Sequence, residues 1–364
     1  MTAELPDLFR FADGARVQSR ADWPRRRQEL RNLLLDIEYG GLPPPPPGTD
    51  GEELHTHTIA AWGGARHSQY RLTTRGARPF QFLLHILVPA GAGPFPVMLT
   101  GDACWRDVAD DIAPEVLRRG YILAEFNRVE IVPDMPRRDR SSSLYVAYPD
   151  GDYGALAAWA WGYHRCVDFL LTLACVDAAC IGVVGMSRGG KTALLAGATD
   201  ERIALTAPNN SGCGGAGCFR WQGPNSEKLA DILRGFPHWF GPRLPAFVGR
   251  EAELPFDQHA LKALVAPRAL LSTEGLGDVW ANPPGTWQTH AAAREVFRFL
   301  GVPDRIGICF REGGHAHELA DWRVQLDFAD WHFRGKQPGR RLDVNPFPDL
   351  PPAFRWSAPA RPGA

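Results

Sequence analysis

The order of apolar and polar positions along the chain predicts strands that alternate with helices. Alternating or continuous apolar residues predict antiparallel strands at 53–74 and 80–88. Further apolar runs predict strands at 97–100, 121–125, 181–184, 203–208, 269–273 and 305–310. Helical spacing of apolar residues predicts helices at 108–119, 154–173, 260–265, 287–300 and 319–333. This alternation is typical of an α/β fold with a mostly parallel sheet covered by helices on both faces.

An amphipathic pattern at 22–39 predicts an additional helix at the N-terminal end of the chain. Asp22 is the expected N-cap, and Pro24 lies in the first turn. The three arginines at 25–27 are expected on the solvated face of this helix. Five consecutive prolines at 43–47 predict a polyproline II spacer, which cannot join a sheet and therefore ends the segment.

These boundaries divide the chain into three parts. We expect a helical extension with its spacer at 1–50, a main domain at 51–340 and a C-terminal tail at 341–364. Within the main domain, residues 219–255 are rich in Trp, Phe, Pro and Gly, which is typical of an aromatic loop region or a partial lid. No internal repeat is visible.

The motif with the clearest chemistry is Gly185-Met186-Ser187-Arg188-Gly189, which lies between a β-branched run and an Ala/Leu-rich helical segment. A Gly-x-Ser-x-Gly motif between a strand and a helix predicts a nucleophile elbow. The turn is so tight that a Cβ at either glycine would collide with the neighbouring strand or helix, and the serine is held in a strained conformation. Ser187 is therefore the candidate nucleophile, and an ordinary glycine-rich turn is the alternative.

A serine nucleophile needs a base to remove its proton and an acid to orient that base. In an elbow fold the acid and the histidine follow the serine in that order, each in the loop after a later strand. Asp278 and His315 each follow a predicted strand and have the required order. An aspartate that caps its own turn is the alternative for Asp278, and Glu274 is the rival acid. His317 is the rival base or a contact to the substrate.

A tetrahedral intermediate formed on a serine nucleophile needs hydrogen-bond donors aimed at its oxyanion. The elbow fold supplies the backbone N–H of the residue after the nucleophile, here Arg188. A second N–H comes from the loop after an earlier strand, here Gly101 and Asp102. The guanidinium of Arg188 either adds a charged donor or forms an exposed structural ion pair. This chemistry requires no metal and no cofactor.

The composition and charge of the chain exclude several classes of protein and of partner. The 364 residues are 45% hydrophobic and 22% charged with a net charge of −1, which fits one large folded domain and excludes a disordered chain. Lys and Arg are scattered, so neither nucleic acid nor a membrane surface is expected as a partner. No apolar run has the length of a membrane span and residues 1–20 lack an export pattern, so we expect a cytoplasmic protein. The seven cysteines match no zinc pattern and are expected as reduced thiols.

Several segments together carry a resemblance to a known superfamily; they are residues 185–191, 200–208, 211–215, 254–259, 266–271 and 313–317. With them the chain from about residue 82 to residue 334 resembles the α/β-hydrolases. Within that superfamily it is similar to the glucuronoyl esterases of carbohydrate esterase family 15 and to bacterial acetyl-xylan-esterase-like relatives. The resemblance implies an α/β-hydrolase fold. It also implies a serine esterase that forms an acyl-enzyme on a carbohydrate ester, either a glucuronate ester or an O-acetyl group.

The resemblance also implies roles for side chains around the serine. In that family the arginine after the serine helps the oxyanion, which corresponds to Arg188, and a lysine of the same motif contacts the sugar, which corresponds to Lys191. Trp280 and Trp239 are expected in a sugar platform, because an aromatic face suits the C–H side of a pyranose. A surface position for Lys191 and a core or lid position for the two tryptophans are the alternatives.

The chain departs from the family pattern at two points. Many glucuronoyl esterases place the catalytic acid in the segment after the elbow helix, where this chain has Asn209 and Asn210, so Asp278 is expected to replace it. Met186 and Glu318 stand where two cysteines often occur in the family, so the associated disulfide is not expected here.

The sequence thus predicts a single α/β-hydrolase domain that cleaves a small-molecule or oligosaccharide ester. A serine peptidase of the same fold, a general small-ester carboxylesterase and a non-catalytic binding protein are the alternatives. Activity on esters but not on peptide anilides separates an esterase from a peptidase. Labelling of Ser187 by a fluorophosphonate excludes the non-catalytic protein.

Overall fold

The computed structural model describes residues 4–104, 108–109, 111–136 and 140–359. The strands in this part of the chain are β1 (Thr49–Ile59), β2 (Ala65–Thr74), β3 (Gln81–Val88), β4 (Phe95–Thr100), β5 (Ile122–Phe126), β6 (Val176–Met186), β7 (Leu205–Asn209), β8 (Ala269–Gly275) and β9 (Ile306–Arg311). They form one sheet in the order β1-β2-β3-β5-β4-β6-β7-β8-β9. The three pairings from β1 to β5 are antiparallel and the remaining pairings are parallel. The predicted fold class, a mostly parallel α/β sheet, is confirmed.

Helices precede or connect most of these strands. They are α1 (Trp23–Leu34), α2 (Ala113–Arg118), α3 (Arg128–Ile131), α4 (Leu144–Ala147), α5 (Ala155–Leu170), α6 (Arg188–Thr199), α7 (Leu229–Gly235), α8 (Gln258–Ala263), α9 (Pro283–Leu300) and α10 (Leu319–Arg334). The longer ones agree with the predicted helices to within a few residues at most ends.

A hydrophobic core lies on each face of the sheet. Because successive residues of a strand point to opposite faces, Val97 and Leu99 of β4 join one core, whereas Met98 joins the other. The larger core contains side chains of α1, α5, α6, α8 and α9, and the smaller core contains side chains of α2 and α10. The sheet is therefore covered on both faces, as the apolar pattern predicts.

The N-terminal segment packs onto the larger core through α1. The prediction that the arginines at 25–27 lie on a solvated face is wrong for two of the three. Arg26 is only 5% exposed, and its Nε donates to the carbonyl of Leu8 at 3.1 Å. Arg27 donates from Nε to the carbonyl of Leu264 at 2.9 Å. These two side chains join the extension to itself and to the main domain.

α1 begins where predicted, with Asp22 at the N-cap position and Pro24 in the first turn. The Asp22 side chain makes no capping hydrogen bond to the helix, since its carboxylate accepts the N–H of Ser19 at 2.8 Å in the short turn before it. One other helix begins later than predicted. α2 begins at Ala113 and not at residue 108, which leaves Pro114 in the first turn. Proline is tolerated there because the first N–H groups of a helix have no partner within it.

The aromatic region at 219–255 contains α7 and three short 3-10 turns. Leu229, Phe240 and Leu244 of this region are buried in the larger core. This part of the region therefore belongs to the packed interior, and its action as a lid stays a prediction.

All seven cysteines are free, and four of them are buried. None of the helices within the described residues has both the length and the apolar character needed to span a bilayer.

Candidate active site

The nucleophile elbow lies where β6 ends and α6 begins. Ser187 has φ 57° and ψ −122°, a conformation that costs free energy for a residue with a side chain. The neighbouring glycines allow this turn: a Cβ on Gly185 would overlap the carbonyl of Gly189, and a Cβ on Gly189 would overlap the carboxylate of Asp102. The N–H of Ser187 donates to the carbonyl of Asn209 at 2.9 Å, which fixes the serine against β7.

The predicted base and acid are in direct contact. Nδ1 of His315 lies 2.5 Å from Oδ2 of Asp278. The side chain of Asp278 is 6% exposed, whereas that of His315 is 44% exposed. A buried carboxylate on Nδ1 leaves the other ring nitrogen to exchange a proton with a nucleophile.

The rival acid is in a different environment. Glu274 is fully buried at the end of β8, and its two carboxylate oxygens have no hydrogen-bond partner among the described residues. Burial raises the pKa of Glu274 to about 8, so the group is mostly protonated at neutral pH. The structure therefore brings Asp278, and not Glu274, onto His315.

The rival base, His317, points elsewhere. Its Nε2 lies 3.0 Å from Oε1 of Gln325, and its ring stacks on Trp322 with 5.0 Å between the centroids. Burial lowers the pKa of His317, although the Gln325 contact opposes this shift. His317 is thus a neutral, packed wall of the site.

The predicted oxyanion donors differ in their surroundings. The N–H of Gly101 donates to the hydroxyl of Tyr163 at 2.7 Å, and the N–H of Asp102 donates to Oγ1 of Thr100 at 3.3 Å. The Asp102 carboxylate accepts the N–H of Met186 at 2.8 Å and so supports the elbow from below. Arg188, in contrast, lines the cavities next to Ser187. The oxyanion role of these groups stays a prediction.

The guanidinium of Arg188 is held by an acid that the sequence analysis missed. Nη1 lies 2.7 Å from Oδ2 of Asp134. Asp134 Oδ1 also accepts from Nε1 of Trp239 at 2.8 Å and lies 2.9 Å from Nε2 of His238. Burial opposes ionisation of this carboxyl, but the hydrogen bonds from His238, Trp239 and Arg188 outweigh it and lower the pKa of Asp134. Asp134 is therefore ionised, and its charge-assisted hydrogen bond fixes the direction of the Arg188 guanidinium.

Two cavities meet at Ser187. The first, here called the polar cavity, has a volume of about 300 Å³ and includes Lys191, Glu227, Trp239 and Trp280 in its walls. Nζ of Lys191 donates to the carbonyl of Ser211 at 2.5 Å. Burial lowers the pKa of Lys191 and raises that of Glu227, while the attraction between the two opposes both shifts. Lys191 is thus buried, and the alternative of a surface lysine is wrong.

The tryptophans of the polar cavity differ in exposure. Trp239 is 3% exposed and stacks on Phe236 at 3.9 Å between centroids, whereas Trp280 is 52% exposed. The Arg188 guanidinium lies 4.8 Å from the centroid of the Trp239 ring. Trp239 is therefore a fixed wall, and Trp280 offers an open aromatic face at the rim.

The second cavity, here called the apolar cavity, has a volume of about 400 Å³ and lies on the other side of Ser187. Val108, Ala109, Ile112, Met186 and Trp322 supply its apolar walls, and Thr100, Asp102 and Glu125 add polar side chains. Ser187, Arg188 and His315 line both cavities. A molecule can thus place its central group at the serine and one half in each cavity.

Most of the predicted site residues are brought together, and two of them line neither cavity. Gly101 and Glu274 lie behind the site, while Asp278 reaches the polar cavity and His317 and Asp102 reach the apolar one. Among the described residues, no group of three or more His, Cys, Asp or Glu side chains has the arrangement of a metal site.

A family model described as glucuronyl esterase of fungi matches residues 73–301 of this chain. The 4-O-methyl-glucuronoyl methylesterase of Podospora anserina is 34% identical over 325 residues, which is 86% of this chain. This chain spans 64% of the length of that relative.

Solved structures are similar over nearly the whole chain. A glucuronoyl esterase of carbohydrate esterase family 15 from Caldicellulosiruptor kristjansonii superposes with a TM-score of 0.87 at 33% identity, over 98% of this chain and 97% of its own. A serine-to-alanine mutant of the glucuronoyl esterase from Sporotrichum thermophile, in complex with methyl 4-O-methyl-β-D-glucopyranuronate, has a TM-score of 0.77 at 27% identity. That likeness covers 95% of this chain and 92% of the other.

Proposed function

The chain belongs to the glucuronoyl esterase family, and on that premise we propose that it is a serine hydrolase of uronic acid esters in carbohydrates. The observation that carries the proposal is the 2.5 Å contact between His315 Nδ1 and Asp278 Oδ2 beside the strained Ser187. Because His315 and Ser187 line the same cavities, one ester group has access to both side chains.

The proposed reaction proceeds through an acyl-enzyme. Ser187 Oγ attacks the ester carbonyl while His315 takes its proton, and Asp278 stabilises the imidazolium that forms. The oxyanion is held by donors that include Arg188. Collapse of the intermediate breaks the bond to the alcohol, which leaves with the proton from His315. Water then attacks the acyl-enzyme with His315 as base, and the uronic acid is released.

The chemistry of the polar cavity supports a sugar ring on the acyl side. Lys191 and Glu227 offer a charged donor and a carboxyl group to hydroxyls, and the exposed Trp280 face suits the C–H side of a pyranose. The Sporotrichum thermophile relative was solved in complex with a methyl uronate ester, which supports a uronate ester as the substrate class. In an O-acetyl ester of a sugar the acyl half is acetate and the sugar is the leaving alcohol, so the sugar would lie on the alcohol side of Ser187.

The apolar cavity supports an alcohol with apolar surface. Burying a ring or an alkyl chain there stabilises the complex by about 25 cal/mol per Å² of apolar surface removed from water. We therefore propose that esters of larger apolar alcohols are better substrates than methyl esters.

The test is hydrolysis of the methyl and benzyl esters of glucuronic acid, p-nitrophenyl acetate and a peptide anilide. The wild type is expected to cleave both uronate esters, the benzyl ester with the higher kcat/KM. Ser187→Ala is expected to lower kcat by about 10⁴-fold or more, and Asp278→Asn by about 10³- to 10⁴-fold. Glu274→Gln, four residues earlier, is the matched control and keeps kcat within about threefold of wild type.

The other outcomes identify the rivals. Cleavage of the acetate with no activity on either uronate ester favours a general carboxylesterase or an O-acetyl esterase. Cleavage of the anilide alone favours a peptidase. A folded wild type that cleaves nothing and resists a fluorophosphonate is a non-catalytic member of the fold. Loss of activity in Glu274→Gln with normal activity in Asp278→Asn would exchange the proposed acid.

A further inference from the structure

Asn210 stands directly after β7 between the parts of the proposed catalytic machinery. It is 1% exposed and has φ 41°, in the left-handed region that asparagine tolerates better than most residues. It lines the polar cavity together with Ser187, Asp278 and His315. Its side chain is therefore close enough to the reacting groups to set their positions.

The Asn210 amide holds the two loops that carry the acid and the base. Oδ1 accepts the N–H of Gly275, where the loop to Asp278 begins, at 2.7 Å. Nδ2 donates to the carbonyl of Ala316, the residue after His315, at 2.8 Å. One side chain thus uses its acceptor on one loop and its donor on the other.

The same two loops also touch each other through their backbones. The N–H of Gly277 donates to the carbonyl of Gly313 at 2.8 Å, and a Cβ on Gly277 would lie 2.8 Å from that oxygen. The acid loop and the base loop therefore form one unit. What remains to be fixed is the position of this unit relative to the nucleophile.

Residues 209 and 210 supply that connection. The carbonyl of Asn209 accepts the N–H of Ser187 at 2.9 Å, and the next residue holds Gly275 and Ala316. We propose that Asn210 is a positioning residue that sets the Asp278–His315 pair against Ser187. The inference rests on the proposed serine hydrolase chemistry, although it does not depend on the identity of the ester.

The role needs an amide and not a carboxylate. An ionised aspartate at this position keeps the acceptor for Gly275 but has no donor for Ala316, whose carbonyl it would repel. It would also add a negative charge close to His315 and Asp278. With a neutral amide at position 210, the carboxylate in contact with Nδ1 of His315 is that of Asp278.

Two substitutions separate these effects. Asn210→Gly removes the side chain while allowing the left-handed backbone. Asn210→Asp keeps the shape and changes one donor into a charge. The Ala316 carbonyl also accepts from Nη2 of Arg311 at 2.7 Å, so the base loop keeps one anchor in both variants. We therefore expect both proteins to fold, as circular dichroism and the melting temperature would report.

A matched control is Asn282→Gly. Asn282 is also buried with a left-handed backbone, φ 60°, at the end of the acid loop. Its Oδ1 accepts the N–H groups of Gly285 and Gly223, so its side chain holds the acid loop to these segments and not to the base loop. It is expected to lower the melting temperature by a similar amount to Asn210→Gly. Its pH dependence should remain that of wild type.

The measurement is the rate of fluorophosphonate labelling of Ser187 from pH 5 to pH 9, together with kcat and KM on the methyl uronate ester. Asn210→Gly is expected to slow labelling and lower kcat by about tenfold or more, because a misplacement of about 1 Å costs up to about 10²-fold. Its KM should not change, and neither should the pH at which the labelling rate falls to half on the acidic side of the profile, here called the acid limb. In Asn210→Asp the acid limb is expected about one pH unit higher, because the added charge favours protonated imidazole.

The proposal is overturned if Asn210→Gly labels at the wild-type rate, or if Asn210→Asp keeps the wild-type pH profile while folded. A loss in Asn210→Gly no larger than that in Asn282→Gly also overturns it. A wild type that is labelled yet cleaves no uronate ester removes the proposed substrate and leaves this test intact. A folded wild type that resists labelling removes the serine mechanism and the Asn210 proposal with it.

Discussion

Glu274 and Lys262 are ionisable side chains that burial shifts toward their neutral forms. Burial raises the pKa of Glu274 to about 8 and lowers that of Lys262 to about 7, while the attraction between them opposes both shifts. Nζ of Lys262 donates to Oγ1 of Thr289 at 2.9 Å. Neither side chain contacts His315. Closeness along the sequence made Glu274 a rival to Asp278, because sequence spacing contains no information about which carboxyl is buried without partners.

This burial makes stability depend on pH. An acid whose folded pKa is raised stabilises the fold fully below its unfolded value, near 4.5, and this contribution is lost as pH rises toward the folded value near 8. Between pH 5 and pH 7 the wild type is therefore expected to lose up to about 1.4 kcal/mol of unfolding free energy per pH unit through this group. Glu274→Gln should remove that part of the slope.

Urea unfolding of wild type and Glu274→Gln at pH 5, 6 and 7 measures the difference. The range ends at pH 7 because Lys262 acts in the opposite direction above it: its lowered pKa makes stability rise with pH between about 7 and its unfolded value. Parallel stability curves for the two proteins would show that Glu274 is ionised in the folded state.

Among the elements, α1 shows what periodicity omits. The apolar spacing correctly predicts a helix, but it assigns the arginines at 25–27 to solvent. Leu8 and Phe9, which precede the helix, are buried beside α1 and cover part of the face that a helix on an open surface would expose. Arg26, which would be solvated on an isolated helix, is thus enclosed by the segment of Leu8 and Phe9, which has no periodic pattern of its own.

Arg26 and Arg25 therefore differ in their contribution to stability although they are neighbours in one helix. Arg26 donates to the Leu8 carbonyl and lies 3.1 Å from Glu29, whereas the side chain of Arg25 is 61% exposed. Arg26→Met is expected to lower the unfolding free energy by about 2 kcal/mol, because it leaves a buried carbonyl without its donor. Arg25→Met, the matched control, should change it by less than about 0.5 kcal/mol. Urea denaturation measures both, and equal losses would contradict the enclosed position of Arg26.

At the scale of the whole molecule, strand order explains which site residues were predictable. β6, β7, β8 and β9 are neighbours in the sheet and run parallel, so the residues after their carboxyl ends meet at one edge. Ser187, Asp278 and His315 could be proposed from the motif and from the order of predicted strands. Asp134 and Glu227 could not, because they lie in irregular segments that only the folded chain brings to the cavities.

The two cavities that meet at Ser187 give the last prediction. Ala109 is half-buried and lines the apolar cavity only, so a larger side chain there should occupy the space proposed for the alcohol. Ala109→Phe is expected to lower kcat/KM for benzyl glucuronate about tenfold more than for the methyl ester, because only the larger alcohol needs the filled volume. Trp280→Ala, on the rim of the polar cavity, is the matched control. It should lower kcat/KM for both esters by a similar factor, since both carry the same sugar.

Steady-state kinetics on the two esters with the two variants completes the comparison. If Ala109→Phe affects both esters equally, the alcohol does not enter the apolar cavity, and that cavity then holds either the acyl half or no part of the substrate. If Trp280→Ala discriminates between the esters, its ring contacts the alcohol, and the proposed orientation of the substrate is reversed. The expected pattern is a selective loss of kcat/KM for the change in the apolar cavity and a uniform loss for the change in the polar cavity. It requires that the alcohol half and the acyl half of the ester lie in different cavities, one on each side of Ser187.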